Sequence, residues 1–121
     1  MKIKFGSSRF VIIIHKWAIK IPFNKCGIEQ SINEKKLWDK YGKWPLNPII
    51  KSFGTINIFK KTREIKNIDL QPIIKETEEI ISELIFEWGD LRRKENWGEL
   101  NGKIVLIDYG LNTDIEKKYY G

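Results

Sequence analysis

Residues 96–110, NWGELNGKIVLIDYG, constrain the fold of this chain more than any other stretch. Asn101-Gly102 stands between two short β-prone runs, and Asn-Gly is the dipeptide that most readily takes the positive φ values of a tight hairpin turn. A hairpin is therefore predicted here, with the apolar residues 104–107 as its second, buried strand. That strand exits at Asp108-Tyr109-Gly110. A carboxylate at the end of a buried strand, closely followed by glycine, is a place where a metal-bound phosphate can be held. The plainer reading is a hairpin ending in a polar turn; what precedes it in the chain changes the balance.

Upstream, residues 2–6 and 9–21 read as strands. Phe10-Val11-Ile12-Ile13-Ile14 is aromatic and β-branched, as a buried strand prefers. His15-Lys16 is the expected turn before Trp17-Ala18-Ile19-Lys20-Ile21, which Pro22 stops. A Gly6-Ser7-Ser8 loop separates the first two strands. Residues 28–41 read as a helix, with Ile28, Ile32, Leu37/Trp38 and Tyr41 as an approximate apolar stripe and Gly42 as its stop. Pro45 and Pro48 then favour an extended connection. Residues 49–53 and 55–65 read as two further strands.

Residues 70–88 give the clearest helix. Ile73, Ile74, Ile80, Ile81, Leu84, Ile85 and Trp88 form one face, and Glu76, Glu78, Glu79 and Glu83 lie opposite. Asp69 is a candidate N-cap, with Pro72 in the tolerant first turn. The glutamates read as a solvated face. The last residues, 111–121, are expected to form a short helix or a loose tail. The order is β-β-β-α-β-β-α-β-β, an α+β pattern with a small, mainly antiparallel sheet and two main helices. Its divisions are a sheet-rich part over 1–65, the long helix and hairpin over 66–110, and a tail over 111–121.

With 121 residues, one domain with a modest core is expected. Charged residues at 31% and hydrophobic residues at 41% fit a soluble globular chain and exclude long disorder. The balance of 22 Lys and Arg against 16 acids, a net +6, suits contact with phosphates, nucleic acid or an acidic protein surface. The bases are spread along the chain and form no tail. Cys26 is the only cysteine, which excludes an intramolecular disulfide and a thiolate zinc site. His15, the only histidine, falls at a turn, so nucleophilic Ser-His-Asp chemistry has little support. The apolar run 10–14 is far short of the ~20 residues that span a bilayer. No signal peptide is evident, and an intracellular, cytoplasmic protein is expected.

Lys20, Glu34, Asp90, Asn96 and Asp108 form a constellation. A lysine lies on a strand in Trp17-Ala18-Ile19-Lys20, and a glutamate lies in the next helix. Two strands and a long helix follow, then Gly89-Asp90-Leu91, Asn96, and a hairpin delivering Asp108-Tyr109-Gly110. In order and in local motif the chain resembles the protein-kinase-like fold, whose signatures are a strand lysine in V-A-I-K, a helix glutamate, H-R-D-L-x-x-x-N and D-F-G. It also looks like small kinase-like proteins encoded by bacteriophages, in which N-W-G precedes a hairpin and I-D-Y-G. Gly89-Asp90-Leu91 is similar to the G-D-L of aminoglycoside phosphotransferases.

The resemblance implies that Lys20 pairs with nucleotide phosphates while Glu34 positions it, with Glu29 as the rival glutamate. It implies Asp90 as the catalytic-loop aspartate, and Asp108 and Asn96 as magnesium ligands, with ATP and Mg²⁺ as cofactors. Asn96 lies six residues after Asp90 where the family motif has five, so Glu95 is a rival for that ligand position. Trp88 precedes Gly89 where the family usually has a nearby histidine. The first loop offers Gly6, Ser7 and Ser8 instead of three spaced glycines. Only eleven residues follow Gly110, too few for the activation segment and helical lobe that a full kinase uses on its peptide substrate.

The expectation drawn from this is a non-catalytic or weakly active kinase-like phage protein that binds and modulates a host protein, for example as an anti-CRISPR inhibitor of host defence. Five tryptophans fit such a role, since tryptophan and arginine are favoured at binding hot spots. The alternatives are a minimal ATP-Mg²⁺-dependent phosphotransferase and a basic nucleic-acid-binding module. Arg92, Arg93, Lys94 and Trp97 are the candidate contacts for a partner protein or nucleic acid, joined for nucleic acid by the Lys60-Lys61-Arg63 cluster.

Overall fold

The computed structural model describes residues 1–66, 68–80, 93–110 and 113–120. Among the described residues it is an α+β fold of two antiparallel sheets and three α-helices. Strands β1 (Lys2–Phe5), β2 (Arg9–Ile14), β3 (Trp17–Pro22), β4 (Ile49–Ser52) and β5 (Asn57–Lys60) form a five-stranded sheet in the order β1-β2-β3-β5-β4. Strands β6 (Arg63–Glu64), β7 (Trp97–Leu100) and β8 (Lys103–Leu106) form a three-stranded sheet in chain order. Helix α1 (Lys25–Tyr41) connects β3 to β4, α2 (Gln71–Ile80) follows β6, and α3 (Thr113–Tyr119) follows the hairpin.

The predicted turns form where the sequence places them. Asn101 and Gly102 take φ values of 52° and 82°, joining β7 to β8. His15 takes a φ of 52° between β2 and β3. Gly42 ends α1 in the left-handed conformation. The run 55–65 is not one strand. It divides between β5, which pairs with β3 and β4, and β6, which pairs with β7 through Arg63↔Glu99 and Glu64↔Gly98. The tail contains a helix, α3, and residues 81–88 of the predicted long helix lie outside the described residues. Asp69 does accept a hydrogen bond from the Gln71 amide at the start of α2.

Helix α1 starts earlier than its apolar stripe suggests. Asn24 caps it, accepting from the Gly27 amide at 2.9 Å, a favourable N-cap arrangement. The expected stripe is also rotated. Ile28 and Ile32 are exposed, while Gly27, Ser31, Glu34 and Leu37 are buried against the sheet. The helix thus turns a partly polar face inward, and that face builds the site described below.

One apolar core joins the two sheets. Leu37 from α1, Leu46 and Ile49, Phe59 from β5, Ile65, Ile74 from α2, Trp97 from β7, Leu106 from β8 and Tyr109 belong to it. The connection after α1 fastens the sheets together: the Leu106 amide donates to Pro45 O, the Asn47 amide to Leu106 O, and the Trp44 indole to Ile104 O. No helix among the described residues is long and apolar enough to cross a membrane.

Candidate functional site

The inward face of the five-stranded sheet follows from register. Val11 pairs with Lys20, Ile13 with Ala18, Lys20 with Asn57, and Ala18 with Phe59. Directly opposed residues share a face, and that face recurs every second residue. Arg9, Val11, Ile13, Ala18, Lys20, Asn57 and Phe59 therefore point the same way, toward α1 and a cleft.

Against this face α1 sets Glu34, which has no solvent exposure. Arg9 grips it fork to fork: Nη1 donates to Oε1, and Nη2 donates to Oε2 at 3.1 Å. Lys20 Nζ donates to the same Oε2 at 3.1 Å, and Asn57 Nδ2 donates to Oε1 at 3.3 Å. Asn57 is itself held by donating to Ser31 O at 2.9 Å, and its Oδ1 lies 2.7 Å from Ser52 Oγ. Burial alone would push the Glu34 carboxyl pKa up. The charges of Arg9 and Lys20, with their hydrogen bonds, outweigh it and hold the pKa at about 2. Burial likewise opposes the Arg9 charge, but Glu34 and then Asp108 push its pKa above its ordinary value.

Two acceptors and an aromatic ring surround the Lys20 ammonium. Besides Glu34, its ammonium donates to the Ile107 carbonyl, and it lies 4.4 Å from the centre of the Phe59 ring. Glu29, the rival glutamate, lies elsewhere and pairs with Lys118 at 3.2 Å. The hairpin brings Asp108 to the same centre, where its Oδ1 accepts from Arg9 Nη2 at 3.2 Å while half of its side chain stays exposed.

Tyr109 is fully buried, edge-on to Phe59, and donates to Asn47 O at 2.8 Å. Burial, then the charge of Glu34, pushes its phenol pKa well above the ordinary value, with Arg9 opposing. Gly110 closes the turn against α1. A Cβ there would stand 2.5 Å from Gln30 O and 2.9 Å from Glu34 Cγ. Gly110→Ala is accordingly expected to cost about 1–3 kcal/mol by overpacking and to push Asp108 off Arg9. Urea denaturation checks it, and an unchanged midpoint would contradict the close approach.

Between the two sheets lies a cleft of about 680 Å³. Val11, Ile13, Ala18, Phe59 and Trp97 supply apolar walls, Arg9, Lys20 and Asp108 the floor, and Lys4, Lys61, Arg63 and Lys94 basic groups. Apolar walls with a few convergent polar groups are the usual make-up of a ligand pocket. Asn96 and Glu95, the rival candidates for one ligand position, both line it. Asn96 is positioned by its backbone, donating to Arg93 O and accepting from the Ile107 amide.

The candidate contacts part company here. Arg93 and Lys94 are exposed, and Lys94 lines the cleft. Trp97 is not a surface contact: it is only 2% exposed, because β7 carries it into the core shared by both sheets. Asp90 and Arg92 lie outside the described residues. The residue that the motif pattern misses altogether is Arg9. Its signal was parity, since it stands two residues before Val11 and so on the face of Lys20. No known protein family, characterised protein or solved structure matches the chain.

Proposed function

We propose that this protein is a kinase-like binding module that takes a nucleotide-like anion in its cleft and acts through what it binds, without efficient phosphoryl transfer. The observation that carries the reading is the ionic floor of the cleft. Every charge there is already paired within the protein, Lys20 and Arg9 with Glu34 and Arg9 with Asp108, while the surrounding lysines and arginines are basic in excess. A strand lysine paired to a glutamate of the following helix, with a hairpin aspartate delivered beside them, is the arrangement that the kinase-like resemblance calls for. Phosphoryl transfer additionally needs a metal ion that neutralises the developing charge, and Asp108, the carboxylate that would hold it, is paired with Arg9 instead.

Calorimetric titration with ATP tests the reading. Binding is expected, weakened about tenfold or more in the double variant Lys4→Glu, Lys61→Glu, with ATP turnover in Mg²⁺ no faster than in buffer. An affinity untouched by the double variant sinks the cleft assignment, and rapid turnover sinks the non-catalytic part.

A host-protein partner is the second reading, and a separate observation favours it. The outer face of the five-stranded sheet is apolar across four strands, with Ile3, Ile12, Ile19 and Ile58 in register and Phe5 beside Phe10. Ile3 is 45% and Phe5 80% exposed. Contiguous apolar surface of this kind marks protein contacts. A host protein that co-purifies with the wild type is expected to be lost from the double variant Ile3→Glu, Ile19→Glu, which should still bind ATP; retention would sink this reading. The nucleic-acid alternative keeps the basic groups but loses Trp97 as a stacking residue.

A further inference from the structure

We propose that the Arg9 guanidinium occupies the cation position beside Asp108, so that a nucleotide polyphosphate enters this cleft without a divalent ion. This rests on the reading of the cleft as an anion site.

The residues present do not fit magnesium at Asp108. The ion would need oxygen ligands at about 2.0–2.1 Å in near-octahedral array. Asp108 Oδ1 already accepts from Arg9 Nη2 at 3.2 Å, so an ion on it would stand beside a fixed positive charge. Nor does Arg9 have a reason to leave. Its Nη1 faces Glu34 Oε1 and Ser31 Oγ, and its Nη2 faces Glu34 Oε2 and Asp108. Those four contacts match the four N–H groups of the two terminal nitrogens. Its stem lies against Gly27 of α1, where a Cβ would come within 3.0 Å of Arg9 Cγ and 2.2 Å of Ser8 O. A guanidinium does not deprotonate in a protein, so this cation is permanent.

The positive charge that a metal would bring to the phosphates must then come from side chains. Lys4, Lys61, Arg63 and Lys94 line the cleft, outnumber Glu64 and Glu95 there, and supply it. In this arrangement Arg9 cancels Asp108, which would otherwise repel a bare polyphosphate, and the lysines and arginine attract it.

Titration of the full wild-type chain with ATP, once in EDTA and once in excess Mg²⁺, tests the proposal. The two dissociation constants are expected to agree within about threefold, or to favour EDTA, because the bare nucleotide carries more negative charge. Mn²⁺ alone, followed by its paramagnetic resonance, is expected to show no site that Asp108→Asn removes. Tightening of ATP by about tenfold or more in Mg²⁺, or an Asp108-dependent Mn²⁺ site, overturns the proposal and leaves the anion reading standing. No ATP binding in either buffer overturns both.

Discussion

Glu34→Ala is expected to be the most damaging substitution within the site, lowering stability by about 3–5 kcal/mol, the usual cost of removing one partner from a buried ion pair. The variant leaves Arg9 and Lys20 buried at 7% and 8% exposure with their shared carboxylate gone. Asp108 would still meet Arg9, but only from the exposed side of the cleft. Asn57 would also lose one acceptor. Thermal denaturation should show the midpoint falling by on the order of 10 °C or more. A shift of only a few degrees would mean that water reaches the pair and that the site is not dry.

The same residue makes stability depend on acid. The folded Glu34 carboxyl is held at about 2, against ~4.3 for an unperturbed glutamate. Its contribution is therefore complete above ~4.3 and is lost as the pH falls through the folded value. The size of that linkage is on the order of 3 kcal/mol. Wild type should lose stability steeply between ~4.3 and about 2, and Glu34→Gln should lose less over the same window. Parallel curves for the two proteins would assign the acid sensitivity to other carboxylates.

Much of the framework is legible in the sequence. Asn101-Gly102, His15-Lys16 and Gly42 are local signals, since each depends on which residues tolerate positive φ, and local chemistry decides that alone. The Lys20–Glu34 pair is what the kinase-like resemblance implies, with Glu29 as the rival, and the fold pairs Lys20 with Glu34 and Glu29 with Lys118. The rotation of α1 was not legible. Hydrophobicity ranks Ile28 and Ile32 above Ser31 and Glu34, and only two cations brought from β2 and β3 reverse that order by making a buried carboxylate tolerable. The division of 55–65 between two sheets was also hidden, because it depends on Gly98, a residue distant in sequence, pairing with Glu64. Arg9 was hidden for a related reason: as the first residue after a serine-rich loop it looks like a solvated strand end, and its partners lie on α1 and beyond β8.

Trp97→Ala should separate a core tryptophan from a surface hot spot. Trp97 is 2% exposed and belongs to the cluster containing Phe59, Leu106 and Tyr109, so truncation to alanine is expected to cost about 3–5 kcal/mol. A tryptophan serving only a partner would leave the urea midpoint unchanged while partner binding fell. The expected result is the reverse: a large midpoint shift, with Trp97→Phe recovering much of it because an aromatic ring still fills most of the volume. The effect should extend to the cleft. Trp97 pairs with Leu106 across the hairpin, and the adjacent Asn96 carbonyl accepts from the Ile107 amide, so the backbone that presents Asp108 is anchored through this residue. Trp97→Ala should therefore weaken ATP binding and stability together, whereas Lys4→Glu, Lys61→Glu should weaken binding while the fold keeps its midpoint. That contrast distinguishes a group that positions the floor of the cleft from groups that meet the ligand at its edge.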